Sequence, residues 1–349
     1  MSIPRVLSIQ SHMVSGYCGN KAATFPLQLL GFDVDVMNTV NFSNHTGYPS
    51  WTGEKATGEQ LAKLFEGLQT NDLVDYTHIL TVLDPVMGDN GQLYVQPDVI
   101  PVYRGLIKFA SAITPNQFEA EILTDKKITD VVSCLDVIDS LHGAGVEHVV
   151  ITSVSLSPQD ITVHSSGKSG YSEMNGVHCR EHQEPANEQP LLYCVCSSKQ
   201  EGEARSQVYA LGFPTYNGYF TGTGDLFSAL LVARLDEELK AERNIVDDVQ
   251  ESASTATRTE LEMTLGRGNG SAKSLTALAK ACVKVVATMK AVVHRTYVAQ
   301  KGTSAATVDR SQASSTSVIK RCELRLIQSK KDIEQPDVDG LEAIELRIQ

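Results

Sequence analysis

The sequence predicts an α/β fold of three layers, with helices on both faces of a central, mainly parallel sheet, and two observations carry that reading. Short apolar or β-branched runs alternate with segments of helical periodicity through the first 155 or so residues, the order that builds parallel strands joined by crossover helices. Residues able to do chemistry also stand where those runs end. Ser11, the stretch Asn38 to Tyr48, Asp84, Asn116 and Thr152 each lie at or just beyond the end of a predicted strand, and in such a sheet the carboxyl ends share the edge at which ligands gather. A chain of 349 residues, 42% hydrophobic and 21% charged, has enough apolar side chains for a substantial core.

The elements follow in order. Val6–Gln10 is a short apolar run that ends in Ser, His and Gly16, hence a buried strand leading into a loop. "GNKAATFPLQLLGF" places apolar residues at helical spacing, and Gly31 supplies its stop. Asp33–Val40 alternates and is β-branched, a second strand. "NFSNHTGYPSWTG" reads as a loop and "GEQLAKLFEGLQTN" as an amphipathic helix. "THILTVLDPVMGDNGQLYV" gives a strand ending at Asp84-Pro85 and a glycine-rich loop. A further strand ends at "SAITPNQFEAEIL", where Pro115 and Asn116 open a helix. Asp130–His142 is helical, Glu147–Ser153 a strand, and Leu275–His294 a long helix. Polar segments at about 155–190 and 247–274 read as a surface insertion and an excursion. With no repeat and no linker, residues 1–349 are expected to form a single domain.

Thirty basic against 42 acidic residues give a net charge of −12, which argues against nucleic acid or an anionic membrane as the partner. A phosphate ligand stays open, because backbone amides can hold one. No run approaches 18 apolar residues, and the start reads as a first strand. Seven scattered cysteines suit reduced thiols and a cytoplasmic setting better than a disulfide framework.

"TGTGDLFSALLVARL" has Gly222 and Gly224 before an apolar helix. Glycines let the backbone approach a ligand, and the helix start offers free N–H groups and a positive dipole end to an anion. Asp225 in that first turn could take a proton from a hydroxyl beside the anion site; a glycine turn into a capped, buried helix is the competing reading. Asp84 and Asp89 in "DPVMGDNGQLYV" suit a cation or its phosphates, or a plain turn. Asn116 and Glu119 share a helical face and could hold a hydrated Mg²⁺ or cap the helix. His178, Cys179, His182, Cys194 and Cys196 fit no standard zinc spacing. Trp51 could be core or a wall for a flat ring.

Taken together, "RVLSIQSHMVSGYCGNKAATFPLQLLGFDVDVMNTVNFSNHTGYPSW", "DPVMGDNGQLYV", "ITPNQFEAEIL", "VVITS", "GTGDLFSALL" and "CELRLIQSKKDIEQP" resemble the pyridoxal kinases of the ribokinase-like superfamily, from residue 5 to about 154 and from about 206 to 336. The resemblance implies ATP-dependent phosphorylation of the 5′-hydroxymethyl group of pyridoxal, and of pyridoxine and pyridoxamine, in vitamin B6 salvage. It implies that Asp225 is the base and that Gly222, Thr223 and Gly224 hold the transferring phosphoryl group. Ser11 and Thr46 would meet the ring's polar atoms, with Val40, Phe42 and His45 nearby. Asp84, Asp89, Asn116 and Glu119 would order the ATP phosphates and a divalent ion, Mg²⁺ or Zn²⁺, bound by Asp84, Asp89 and Glu119. Thr114, Thr152 and Ser153 would line the side of the nucleotide and of a monovalent cation such as K⁺, and Tyr94 would cover the phosphates. A cytoplasmic homodimer is implied as well. The alternatives are a kinase for a hydroxymethylpyrimidine and a non-catalytic B6-binding isoform.

The sequence departs from this family at one place. Thr81 runs through Val82-Leu83 straight into Asp84-Pro85, where family members insert a Gly-Tyr, a helix and the start of a further strand. What is missing is close to one strand–helix step, roughly 30 residues. A sheet that loses such a step is expected to expose apolar surface on the uncovered face.

Overall fold

The computed structural model describes residues 3–76, 81–165, 191–199, 206–255, 275–301 and 316–347. β1 (Arg5–Met13) and β2 (Asp33–Phe42) pair in parallel from Arg5↔Asp33 onward, with α1 (Asn20–Leu29) as their crossover. Between Gln10 and Ser11 the register slips, so that Ser11 faces Val40 and Thr39 bulges out of β2. β3 (Gly53–Lys55) adds antiparallel to β2 and closes a three-stranded sheet. α2 (Gly58–Thr70) follows, its start fixed by a reciprocal cap between Thr57 and Gln60.

A second sheet holds six strands, β4 (Val82–Leu83), β7 (Ala112–Ile113), β8 (His148–Val154), β9 (Leu191–Ser198), β10 (Gln207–Pro214) and β11 (Ala343–Leu346), in the order β11-β10-β9-β8-β7-β4. Between β4 and β7 lie the small hairpin β5 (Gly88–Asp89) and β6 (Gln92–Leu93) and helix α3 (Val99–Leu106). Asn90 and Gly91 both take positive φ in that hairpin, the two-residue turn that an Asn-Gly pair favours. The three-layer α/β architecture is as expected, but the sheet is mixed. Strands β4, β7 and β8 are parallel, whereas β8 to β11 alternate antiparallel. β9 and β10 are joined by the short stretch 199–206, too little chain for a crossover.

Alternate residues of β8 show the two covered faces. Val149 and Ile151 pack with α4 (Gln117–Thr124) and α5 (Val131–Gly143), while Val150 packs with α7 (Thr223–Thr255) and α8 (Ala277–Lys301). α1 lies against α7 through Ala23, Leu27, Ala229 and Ala233. α9 (Thr316–Arg321) and α10 (Lys330–Glu334) complete the C-terminal part.

The polar segments differ in part from expectation. Residues 158–163 form α6 (Pro158–Val163), started by Ser157 as cap and Pro158 in the first turn, the pairing that nucleates a helix even in polar surroundings. Residues 166–190, with His178, Cys179 and His182, lie outside the described residues. α7 continues to Thr255, through the start of the expected excursion, and residues 256–274 again lie outside.

The sheet is divided where the sequence lacks a step. Among the described residues β1 pairs along its length only with β2, and β4 only with β7, so the first three strands form a sheet of their own. Apolar surface is correspondingly uncovered: Ile9 of β1 is 52% exposed, Leu64 of α2 is 57% exposed, and α2 buries no residue at all.

Candidate active site

α7 begins where Gly222 turns the chain with φ +83°, and a Cβ there would stand 2.0 Å from the Tyr17 carbonyl oxygen. Only glycine fits, because both the conformation and the close backbone approach exclude a side chain. The turn leaves the first N–H groups of α7 unpaired within the helix, beside the carboxylate of Asp225. That carboxylate accepts a hydrogen bond from the Gly19 backbone N–H at 2.7 Å. Burial raises the Asp225 pKa, and the Gly19 bond opposes the rise.

Asp84, at the carboxyl end of β4, approaches the same turn: its Oδ2 stands 3.4 Å from where a Cβ on Gly224 would be. Its pKa is pushed well above the ordinary carboxylate value by burial first, then by the charges of Asp225 and Glu119, with a Ser228 hydrogen bond pulling the other way. Ser228 in turn shares a 2.9 Å hydrogen bond with Thr114.

Glu119 works as a clamp. Its Oε2 accepts from the Asn116 N–H at 2.9 Å, and its Oε1 from the N–H groups of Met87 at 2.9 Å and Gly88 at 3.3 Å. Asn116 closes the reciprocal cap by accepting from the Glu119 N–H at 2.9 Å and donates its side-chain amide to the Gly88 carbonyl at 2.8 Å. The cap that the spacing of Asn116 and Glu119 allowed is therefore formed, and it fastens the loop carrying Asp84 and Asp89 to α4. Burial raises the Glu119 pKa against those backbone donors. Asp89 accepts from the Asn90 N–H at 2.8 Å and shapes the hairpin turn.

These groups line one cavity of about 2260 Å³. Ser11, His45, Thr46, Asp84, Asp89, Tyr94, Thr114, Asn116, Glu119, Thr152, Ser153, Gly222, Thr223, Gly224 and Asp225 all reach it. Val40 and Phe42 stand behind the wall, in a small cluster with Met13 and Cys18, and Trp51 packs on Phe42 with ring centres 4.5 Å apart. His45 is 5% exposed; its Nδ1 accepts from the Gly47 N–H at 3.2 Å, which assigns the proton of the neutral ring to Nε2. Nε2 is buried without a partner among the described residues, and burial lowers the pKa of the ring.

Sequence reasoning missed Gly19, whose N–H meets Asp225 across 206 positions, and Ser228, one turn after Asp225. It also missed the hydrogen bond from the Tyr48 hydroxyl to Glu323 at 2.8 Å, and the apolar wall of Phe213, Val286 and Met289. Ser228 had a signal, as the one polar residue on the apolar face following Asp225. Cys194 and Cys196 are buried on β9 in the core, and among the described residues no group of three or more His, Cys, Asp or Glu side chains is arranged to hold a metal unaided.

Pyridoxal kinase of Ovis aries is 34% identical over 368 aligned positions, which take in 96% of this chain and 96% of that protein, and the Homo sapiens enzyme gives the same identity and 96% of each. The chain belongs to the pyridoxal kinase family. Pyridoxal kinase of Leishmania donovani, solved with ADP and pyridoxine, superposes with a TM-score of 0.67 at 25% identity, over 98% of this chain and 99% of that one. A family model described as phosphomethylpyrimidine kinase matches residues 66–177. Among the described residues no helix is long and apolar enough to cross a membrane.

Proposed function

We propose that this chain transfers the γ-phosphoryl group of ATP to the 5′-hydroxyl of pyridoxal, and of pyridoxine and pyridoxamine, giving the 5′-phosphate in vitamin B6 salvage. The observation that carries the reading is Asp225: a carboxylate of raised pKa held against the glycine turn that opens α7. A raised pKa makes it a stronger base toward an alcohol, and the adjacent amides meet the charge on the transferring group. Asp225 takes the hydroxyl proton as the oxygen attacks phosphorus. The N–H groups at Gly222, Thr223 and Gly224, at the start of α7, stabilise the equatorial oxygens as ADP leaves.

Ser11, Thr46 and the unpartnered Nε2–H of His45 offer hydrogen bonds to the ring's polar atoms. Asp84, a desolvated carboxylate beside the charges of Asp225 and Glu119, is an oxygen donor suited to a hard divalent ion; Asp89 and Glu119 would share it only together with the ATP phosphates, since among the described residues no three such side chains converge on one point. Mg²⁺ held there would neutralise the ATP phosphates; Zn²⁺ would suit the same donors less well, since they are all oxygen. Asn116 holds the loop on which two of those carboxylates sit. Thr114, Thr152 and Ser153 line the cavity on what would be the side of the nucleotide and of a monovalent cation such as K⁺. Tyr94, 61% exposed just after the hairpin, lines the cavity on the side where it would cover the phosphates. A cytoplasmic homodimer accompanies this reading through the family.

The test is ADP release with pyridoxal and Mg-ATP, run beside a hydroxymethylpyrimidine. Turnover with pyridoxal that Asp225→Ala abolishes supports the proposal. A folded, ATP-binding preparation that turns over only the pyrimidine overturns it.

A further inference from the structure

The backbone holds Asp84 from one side only. β4 is two residues long and, among the described residues, pairs with β7 alone, through Val82↔Ala112 and Leu83↔Ile113. The Thr114 N–H adds a last bond to the Leu83 carbonyl at 3.0 Å, and Asp84 is the next residue along the chain. Its carboxylate lines the cavity and faces the like charges of Asp225 and Glu119. A carboxylate repelled from two directions keeps one pose only if a donor fixes it.

The donor comes from α7. Leu226, Phe227, Leu230 and Leu231 around Ser228 are buried in the core, where an alanine would take the serine's place with better helix propensity. A buried hydroxyl is costly without partners, and this one has two: it donates to Asp84, and its oxygen lies 2.9 Å from the Thr114 hydroxyl. A serine hydroxyl carries a single proton. Given to Asp84, that proton leaves Ser228 an acceptor toward Thr114. The Thr114 hydroxyl therefore donates to Ser228 rather than to the Leu83 carbonyl, which stands farther off at 3.5 Å. The bonds run one way, from Thr114 after β7 through Ser228 of α7 to Asp84 after β4.

Building on the phosphoryl-transfer reading, we propose that Ser228 is a positioning residue: backed by Thr114, it occupies one oxygen of Asp84, leaves the other for the divalent ion that accompanies ATP, and so selects Mg²⁺ over Ca²⁺. Mg²⁺ demands near-ideal octahedral geometry, into which a carboxylate chelating through both oxygens fits poorly. Ca²⁺ is larger and more flexible and takes carboxylates through one oxygen or both. A carboxylate with one oxygen already engaged serves the smaller ion and denies the larger one its second contact. Removing the Ser228 hydroxyl frees both oxygens of Asp84 and lets the side chain move off its pose, which weakens Mg²⁺ and favours Ca²⁺.

The experiment titrates MgCl₂ or CaCl₂ into the full chain with ADP, read by calorimetry, beside steady-state turnover of pyridoxal with Mg-ATP. Ser228→Ala should lower the ratio of Mg²⁺ to Ca²⁺ affinity about tenfold, the size of one hydrogen bond to a charged group, and raise KM for Mg-ATP more than KM for pyridoxal. Ser228→Cys keeps the shape but donates only weakly, so it should follow the alanine variant. Thr114→Val should act in the same direction, and the double variant Ser228→Ala/Thr114→Val should add little, because the same chain of bonds is already cut. A ratio within twofold of the parent in Ser228→Ala, or a cysteine variant that matches the parent, overturns the assignment. The ion is read with no acceptor present. A shifted ratio in a chain that fails to phosphorylate pyridoxal therefore keeps Ser228 in its role beside the nucleotide and counts against the kinase reading. Pyridoxal turnover with an unshifted ratio does the reverse, and a chain that binds neither ion with ADP overturns both.

Discussion

The Gly19 backbone N–H donates to the Asp225 carboxylate at 2.7 Å, tying the loop after the first strand to the first turn of α7. Gly19 holds φ +55°, and a Cβ on it would lie 2.0 Å from the Ser11 carbonyl oxygen. Gly19→Ala therefore forces that loop off Ser11 and off Asp225 at once. The expected result is a loss of about 2 kcal/mol or more in stability together with a fall in kcat. Urea unfolding and steady-state kinetics check it; an unchanged kcat would mean that the Gly19 bond does not orient the base.

Asp225→Asn keeps the size of the side chain and removes its basicity. A fall in kcat of about 10²- to 10⁴-fold is expected, with ATP binding retained, as measured by calorimetry beside the rate assay. Removing a desolvated charge should leave the thermal midpoint level or raised.

Asp84 gives the pH dependence an unusual sign. A carboxylate whose pKa is higher in the folded chain binds more protons there than when unfolded, across the window from about 3.9 up to its raised value. Stability from this group falls as pH rises through that window, and the loss is complete above the folded value. Asp84→Asn should therefore be more stable than the parent at pH 8, by a margin that shrinks at pH 5. Mg²⁺ should stabilise the parent more at pH 8 than at pH 5 and do little for the variant. Thermal scans at both pH values, with and without MgCl₂, decide it; a margin independent of pH would show that Asp84 is ionised in the fold at no cost, and one that grows toward acid that the fold stabilises its charge.

Glu119 separates clamping from charge. Its carboxylate accepts three backbone N–H groups, and Glu119→Gln keeps one amide oxygen for only part of that set. Glu119→Ala strands all three donors, with an expected cost of about 2–4 kcal/mol, and Glu119→Gln should cost less than half as much. Equal losses would assign the effect to charge rather than to the clamp.

Local signals were the legible part. Gly222–Asp225 at a helix start, Pro115–Asn116 opening a helix, and the direct run from Thr81 to Asp84 are each a few residues long, and each is found at the shared edge or at the divided sheet. Contacts across the chain were not legible. Nothing in "SGYCGNK" says that Gly19 meets a carboxylate 206 positions away, or that its φ is positive. The antiparallel half of the sheet was hidden because apolar strands such as Leu191–Ser198 read alike in either direction. The helix through residues 247–255 was hidden by Ser, Thr and charge, which a helix already begun at Thr223 can extend through.

The Tyr48–Glu323 bond supplies the last prediction. Glu323 is 9% exposed, pairs as an isolated bridge with Thr221 just before the glycine turn, and receives the Tyr48 hydroxyl at 2.8 Å. Burial and the bond to Glu323 push the Tyr48 phenol pKa upward, so it stays a donor. Through this pair the loop bearing His45 and Thr46 is fixed against the turn bearing Gly222. Tyr48→Phe removes the hydroxyl and keeps the ring that meets His45 edge-on at 4.7 Å. Losing that bond should raise KM for pyridoxal about three- to tenfold, equivalent to a hydrogen bond of roughly 1 kcal/mol, while kcat and KM for ATP hold. Glu323→Gln, which still accepts from Tyr48, should stay within about twofold of the parent. A Tyr48→Phe enzyme whose KM for pyridoxal is unchanged would detach the C-terminal segment from substrate binding and leave Glu323 with a packing role alone.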